Sequence, residues 1–417
     1  MTGTDLECGS DYRSLGEALK QGKVSEKDID TSLKRLLKAR FELGDFDDDE
    51  LVDWTKLPMS VVACKEYRQL AADMARQTMT LLSNDGILPL KKNGQKIAVL
   101  GPNANDSTML WGNYNGIPLS TVTIWQGIKA KAPSARLIEG CDYLHDNDKV
   151  NVGNIVGLAG DADVVIFVGG ISPRLEGEEL PVEEPGFKGG DRLKIELPSA
   201  QSKLVSALKS AGKKVVFVNC SGSAVALTSE HSNANAILQA WYGGEQAGTA
   251  VADVLFGDYN PGGKLPVTFY ASTSQLPEYE DYRMKERTYR YFTGKPLYPF
   301  GYGLSYTSFA IGKPKYKKGT LTVKVKNTGE RDGEEVVQVY VRNPKDTAGP
   351  RKTLRGFKRV KVKAGKTVDV RISLPRNTFE LWNDETNTMC VVPGTYRLLV
   401  GNSSADEDLR EISVKVE

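Results

Sequence analysis

Val164-Val165-Ile166-Phe167-Val168, running into Gly169-Gly170-Ile171-Ser172-Pro173-Arg174-Leu175-Glu176-Gly177-Glu178-Glu179 and later Gly189-Gly190-Asp191-Arg192, is the stretch whose reading decides the fold. An unbroken apolar run of this length, β-branched and aromatic, predicts a strand buried on both faces, as in a parallel sheet. The polar loop that follows sits where such a strand ends. In open α/β sheets, ligands bind just outside the carboxyl ends of the strands, so a loop crowded with carboxylates here can reach a substrate. A solvated acidic surface is the plainer reading, and composition alone favours it.

Outward from this run, Ile97-Ala98-Val99-Leu100, Val215-Val216-Phe217-Val218 and Ala236-Ile237-Leu238-Gln239-Ala240 repeat the strand pattern. Helical spacing over Ser202–Ala211 and Gly248–Phe256 falls between and after them. Short apolar strands alternating with helices predict a mostly parallel sheet covered on both sides, over residues 61–272. Gly101-Pro102-Asn103-Ala104 follows the first strand, where a dinucleotide site would place its glycine-rich turn. Pro102 and the missing second and third glycines argue against close approach of a pyrophosphate, and no phosphate loop occurs elsewhere.

From Thr320 the period changes to two. Leu321–Lys326, Val336–Val341, Val368–Ile372, Tyr396–Val400 and Ile412–Val416 are strand-length runs, punctuated by turn residues such as Asn327-Thr328-Gly329 and Pro393-Gly394. That predicts an antiparallel β-sandwich of fibronectin or immunoglobulin type over residues 310–417. The aromatic, glycine-rich stretch 273–309 reads as a connector packed across both parts. At the other end, Ser25 with Asp28 and Gly44 frame a helix carrying Leu33, Leu36, Leu37 and Phe41. Residues 1–45 thus predict about two amphipathic helices without a sheet, and the acidic residues 46–60 a linker.

The 417 residues hold 55 basic and 53 acidic side chains, a net charge of +2, so no global field draws in nucleic acid or an anionic membrane. No apolar run nears the length of a membrane span, and no charged leader with an apolar segment opens the chain. Cys8, Cys64, Cys141, Cys220 and Cys390 stand apart without metal spacing, which argues against zinc and leaves the compartment open. With two histidines, His145 and His231, and no nucleophile elbow, triad chemistry has little to work with. No cofactor is implied.

Several motifs then converge. Gly101-Pro102-Asn103-Ala104, the Leu175-Glu176-Gly177-Glu178-Glu179 loop with Asp191-Arg192, Asp253-Val254-Leu255-Phe256-Gly257, Asn260-Pro261-Gly262-Gly263-Lys264-Leu265-Pro266 and the long Tyr291–Tyr306 segment resemble the carboxy-terminal part of glycoside hydrolase family 3. Gly3-Thr4-Asp5-Leu6-Glu7-Cys8-Gly9 is similar to the β-xylosidase-like branch. The resemblance implies a parent enzyme with an amino-terminal (β/α) barrel, an αβ sandwich and a fibronectin type III-like β-sandwich. It implies a retaining exo-β-glycosidase acting on xylo- or gluco-oligosaccharides. Residues 1–45 then become the last helices of the barrel, whose nucleophilic Asp belongs to a motif not found here, so these residues alone are expected to be inactive.

Retaining hydrolysis uses two carboxyl groups, a nucleophile and an acid/base. The resemblance gives the acid/base role to Glu176, with Glu178, Glu179 and Arg174 left open as substrate-binding residues. A barrel polypeptide or a second copy remains an option as partner, and a periplasmic or secreted setting as the parent's location. The alternative is a non-catalytic carbohydrate-binding or interaction fragment.

Overall fold

A computed structural model describes residues 4–142, 152–176, 182, 184–189, 191–383 and 385–417, in two compact units, Met1–Tyr67 and Arg68–Glu417. In the first unit α1 (Leu15–Lys20) and α2 (Glu26–Glu42) are the α-helices. A capping box starts α2: Asp28 N–H donates to Ser25 Oγ at 3.3 Å and Ser25 N–H to Asp28 Oδ2 at 3.1 Å. Gly44, at φ +74°, stops it. No residue of α2 is buried, and Leu33 and Phe41 of its apolar stripe are exposed. Among the described residues of this unit, α1 and α2 are accompanied by short 3-10 turns and no strand.

After α3 (Lys65–Thr78), most of which lies in the larger unit, comes a sheet of β1 (Thr80–Asn84), β2 (Ile97–Leu100), β3 (Arg136–Leu137), β4 (Val164–Gly170), β7 (Lys214–Cys220) and β8 (Ala236–Gln239); a small hairpin of β5 (Phe187–Lys188) and β6 (Asp191–Arg192) stands apart. The strand order is β1-β8-β7-β4-β2-β3, all parallel except β1, which pairs antiparallel with β8. The chain leaves β2 toward β3 and returns on the other side as β4. The order thus reverses between β2 and β4, the switch point at which such sheets open a crevice.

Both faces of the sheet are covered, which is why its central strands are apolar throughout. Ile97, Val99, Val164, Ile166, Val168, Val216 and Val218 point into one core, with Ile124 and Ile128 of α4 (Ile124–Lys131) and Val251 and Val254 of α9 (Ala247–Leu255). Ala98, Leu100, Val165, Phe167, Val215 and Phe217 enter the other, with Ile155 of α5 (Val152–Leu158) and Leu204 and Leu208 of α7 (Ser199–Ser210). The period of two thus survives inside a continuous hydrophobic run.

Two four-stranded antiparallel sheets form the carboxy-terminal sandwich. One comprises β9 (Phe309–Ile311), β10 (Lys315–Lys317), β11 (Thr320–Asn327) and β14 (Thr367–Ser373); the other β12 (Gly333–Arg342), β13 (Thr353–Val362), β17 (Gly394–Gly401) and β18 (Arg410–Val416). Leu321, Val323 and Val325 face Val337, Val339 and Val341 across a common core.

The connector is tied to both layers by named bonds. Leu304 N–H donates to Leu81 O at 2.8 Å, Tyr306 Oη to Val254 O at 2.7 Å, and Leu265 N–H to Tyr302 O at 2.8 Å. Asn260 Oδ1 accepts from Ser305 Oγ and Tyr306 N, each at 2.8 Å, while its amide donates to Asp332 O. Lys264 meets the buried Glu335 of β12 at 2.8 Å. Asp253 is gripped by Arg76 and Lys131, both at 2.6 Å.

The structure adds strands that the pattern reading had not assigned. α3 ends at Thr78 and the chain passes into β1; Met79 and Leu82 are buried, whereas Leu70 and Met74 of α3 are exposed. In β13, the side chains of Arg355, Lys358, Arg359 and Lys361 obscure the alternation.

Candidate active site

The loops after β2, β4, β7 and β8 meet at the carboxyl edge of the sheet. Two glycines let them come close. Gly101, at φ +109°, would place a Cβ 2.3 Å from Val168 O, and Gly170, at φ +118°, one 2.0 Å from Cys220 O. No side chain fits either position. Asn103, fully buried, donates its amide to Gly169 O at 2.9 Å, so the Gly-Pro-Asn turn braces the neighbouring loop. From below, Gln201 of α7 clamps Gly170, accepting from its N–H at 2.8 Å and donating to its carbonyl at 2.7 Å.

Glu176 closes the single turn α6 (Pro173–Glu176), its N–H bonded to Ser172 O at 3.0 Å. Leu175 anchors the turn in the core; Arg174 lies on the surface, its guanidinium on Thr108 Oγ1 at 3.1 Å. The half-buried Glu176 carboxylate reaches across to the loop after β7. Its Oε1 accepts from Ser223 Oγ at 2.8 Å and from Gly222 N–H at 3.2 Å. A Cβ on Gly222 would sit 3.1 Å from Oε2 and 3.0 Å from the Tyr242 ring, so the three groups are packed together.

Arg192 of β6 completes the cradle, donating to Ser223 Oγ at 3.2 Å and to Ala224 O at 2.9 Å. Because the Ser223 oxygen accepts from Arg192, its own hydrogen is directed to Glu176. Burial pulls the Arg192 guanidinium below the ordinary arginine value, and the nearby charge of Glu176 opposes that pull. Burial first, then the same carboxylate, pushes the ionisation of Tyr242 up. Its hydroxyl is buried beside Glu176 and Gly222 without meeting either at ordinary hydrogen-bond geometry.

A buried amide network fixes the Ser223 loop. Asn219 donates to Ser221 Oγ at 3.1 Å and Gln239 Oε1 at 2.6 Å, Gln239 Nε2 to Ser221 O at 3.3 Å, and Ser221 Oγ to Ser223 O at 2.9 Å. Cys220, beneath it, is fully buried, and burial pushes its thiol up; it is a packing residue rather than a nucleophile.

Of the residues singled out from sequence, Glu176, Arg174 and Arg192 come to this edge, while Glu178, Glu179 and His145 lie outside the described residues. Asp191 turns instead to Tyr279 Oη at 3.2 Å. Gly222, Ser223, Tyr242, Asn219 and Gln239 were missed. Gly222 and Ser223 follow β7 as Glu176 follows β4, so the strand-end rule marks their loop as a candidate; Tyr242, Asn219 and Gln239 carry no such local signal. Among the described residues, no three His, Cys, Asp or Glu side chains gather as a metal site.

The fold places this edge on a doubly covered αβ domain with an appended β-sandwich. The description Glycosyl hydrolase family 3 C-terminal domain matches residues 79–306, and Fibronectin type III-like domain matches residues 335–404. The chain belongs to glycoside hydrolase family 3. It is 40% identical to a xylan 1,4-β-xylosidase of Xylanibacter ruminicola, covering 99% of this chain and 66% of that protein. With a β-xylosidase of Formosa agariphila it shares 36% identity over 94% of this chain and 56% of that one. Among solved structures, a family 3 exo-β-xylosidase in complex with a xylobiose aziridine activity-based probe superposes at TM-score 0.85 and 26% identity, over 99% of this chain and 57% of that one. A Listeria innocua β-glucosidase in complex with glucose gives 0.84 at 27% identity, over 99% and 58%. The chain therefore spans between about half and two thirds of the length of these relatives.

Proposed function

We propose that the chain is the carboxy-terminal portion of a retaining exo-β-glycosidase acting on xylosides or glucosides, with Glu176 as its general acid/base. The observation that carries this reading is the fixed carboxylate: Glu176, at the switch-point edge, held through one oxygen by Ser223 and the Gly222 amide. Occupying Oε1 leaves Oε2 to carry the proton. In the first step that proton passes to the glycosidic oxygen as the C–O bond breaks, and the sugar is captured by a nucleophilic carboxylate as a covalent ester. In the second, Glu176, now ionised, takes a proton from water as the water oxygen attacks the anomeric carbon and the ester is released. Ser223 and Arg192 keep the carboxylate aimed throughout both steps.

The xylosidase names of two relatives favour β-xylosides as substrates. On this reading residues 1–45 are the terminal helices of a barrel, 46–60 a linker, 61–272 the αβ sandwich, 273–309 the connector and 310–417 the fibronectin-type sandwich. The nucleophile comes from barrel sequence beyond these residues, and the 417 residues alone should not hydrolyse aryl β-xylosides.

The experiment is Glu176→Gln in the barrel-containing enzyme. Hydrolysis of substrates with poor leaving groups should fall by roughly 10²- to 10⁴-fold, the usual size of lost acid/base catalysis. Activated aryl glycosides, which need little protonation, should still form the covalent intermediate. Equal losses on both substrate classes, or none, would remove Glu176 from the role.

A further inference from the structure

Away from the Glu176 edge, a cavity of about 610 Å³ opens where the connector meets the αβ domain and the β-sandwich. None of Glu176, Arg192, Gly222, Ser223 or Tyr242 lines it. Its volume falls within the range of small-molecule sites. Its walls are held from both sides: Leu354 N–H donates to Tyr289 Oη at 2.9 Å, Ser404 N–H to Phe300 O at 2.9 Å, and Arg351 N–H to Arg290 O at 2.8 Å. The site is thus preformed rather than a gap between loosely joined parts.

Three features specify what it would take. Aromatic rings are stacked in its lining, Tyr289 on Phe300 at 4.2 Å between centroids and Tyr298 on Tyr302 at 5.6 Å. Thr268, only 6% exposed, lines the cavity with a buried hydroxyl that has no hydrogen-bond partner. A buried hydroxyl left unmatched is costly, which marks a place for a polar ligand atom. His231 commits Nδ1 to the Tyr298 hydroxyl at 2.7 Å, so the opposite edge of the ring is turned to other partners.

The charges of the lining cancel. Lys295, Arg351 and Lys352 stand against Asp406, Glu407 and Asp408, with Lys352 and Arg351 both paired to Asp406. The Lys352 bond, above all, holds the Asp406 carboxyl below its ordinary value. A balanced lining gives no excess positive field for a phosphate. A lining that sets aromatic side chains beside hydroxyl, imidazole and carboxylate groups suits an uncharged polyhydroxylated molecule.

We propose that this cavity is a second, non-catalytic carbohydrate site that takes a neutral mono- or disaccharide, with Thr268 and His231 bonding its hydroxyls. The choice of a pentose or hexose rests on the glycosidase reading; the cavity itself does not depend on Glu176. Calorimetric titration of the 417-residue chain with xylobiose, paired with a crystal structure at saturating xylobiose, tests it. Expected are sugar density in this cavity and binding weakened about fivefold by Thr268→Val and by His231→Ala, the loss of one net hydrogen bond each. Glu176→Gln should leave that binding unchanged. An empty cavity in the wild-type crystal overturns the proposal whether or not the variants fold. So does binding that Glu176→Gln abolishes while Thr268→Val and His231→Ala retain it, or inorganic phosphate that displaces the sugar. Undiminished turnover of poor leaving groups by Glu176→Gln in the barrel-containing enzyme, with intact binding here, would refute the catalytic assignment alone.

Discussion

The Glu176 cradle and the connector Tyr291–Tyr306 make an instructive pair. The connector carries the longest family-like motif in the chain, yet its side chains and backbone join the sheet to the sandwich: Leu304 to Leu81, Tyr306 to Val254, Phe300 to Ser404. The loop after β4 is shorter and compositionally bland, yet it brings a fixed carboxylate to an open edge. Long specific motifs can record packing, because interlocking many groups restricts many positions. Proton transfer restricts few.

If that contrast is right, damage to the two regions should separate by observable. The largest stability effect belongs to the connecting region. Lys264→Met would strand the buried Glu335 carboxylate without its cation. Removing one partner of such a pair costs about 3–5 kcal/mol, so the melting midpoint in denaturant should fall sharply. The Glu176 loop should keep its geometry in any molecule that remains folded. An unchanged midpoint would mean the pair is solvated.

Ser223→Ala is the complementary case. It removes the 2.8 Å bond to Glu176 Oε1 while the Gly222 amide and the Asn219–Gln239 network remain. Turnover of poor leaving groups in the barrel-containing enzyme should drop about tenfold, the equivalent of one charged hydrogen bond, with stability little altered. If KM rather than kcat carries the loss, Ser223 contacts substrate instead of positioning the acid.

The smallest effect is electrostatic and lies away from both regions. Glu230 is buried, with one oxygen bonded to Ser202 Oγ at 2.6 Å, and burial raises its pKa above the ordinary 4.5. Above that ordinary value the unfolded chain has released a proton that the folded chain keeps. Stability therefore declines as pH rises from about 4.5 toward the folded pKa. Glu230→Gln should flatten this decline and be relatively more stable at the upper end of the window. Parallel stability curves for the two proteins would show that Glu230 ionises freely in the fold.

Much of the architecture was legible because burial writes itself into hydrophobic period. The continuous runs of β4 and β7 announced a doubly covered sheet, and the alternation of β11 a sandwich. Ser25, Asp28 and Gly44 gave the bounds of α2 through local hydrogen bonding alone. β1 stayed hidden because Met79 and Leu82 continue the apolar pattern of α3, and only pairing with β8 reveals a strand. At the site, Glu176 was reached through resemblance to a family pattern, not through composition. Its partners Gly222, Ser223 and Tyr242 come from the ends of β7 and β8, and such proximity is created by sheet order, which no local window contains.

The most direct test of the catalytic assignment compares Glu176→Gln, Glu178→Gln and Glu179→Gln in the barrel-containing enzyme, each assayed with an activated aryl β-xyloside and azide. Azide attacks the covalent intermediate without needing a base, so it replaces the half of the reaction that a missing acid/base leaves slow. The account predicts that Glu176→Gln alone is accelerated and yields a β-glycosyl azide, while the other two behave as the parent does. Rescue of Glu178→Gln or Glu179→Gln with no response from Glu176→Gln would contradict it.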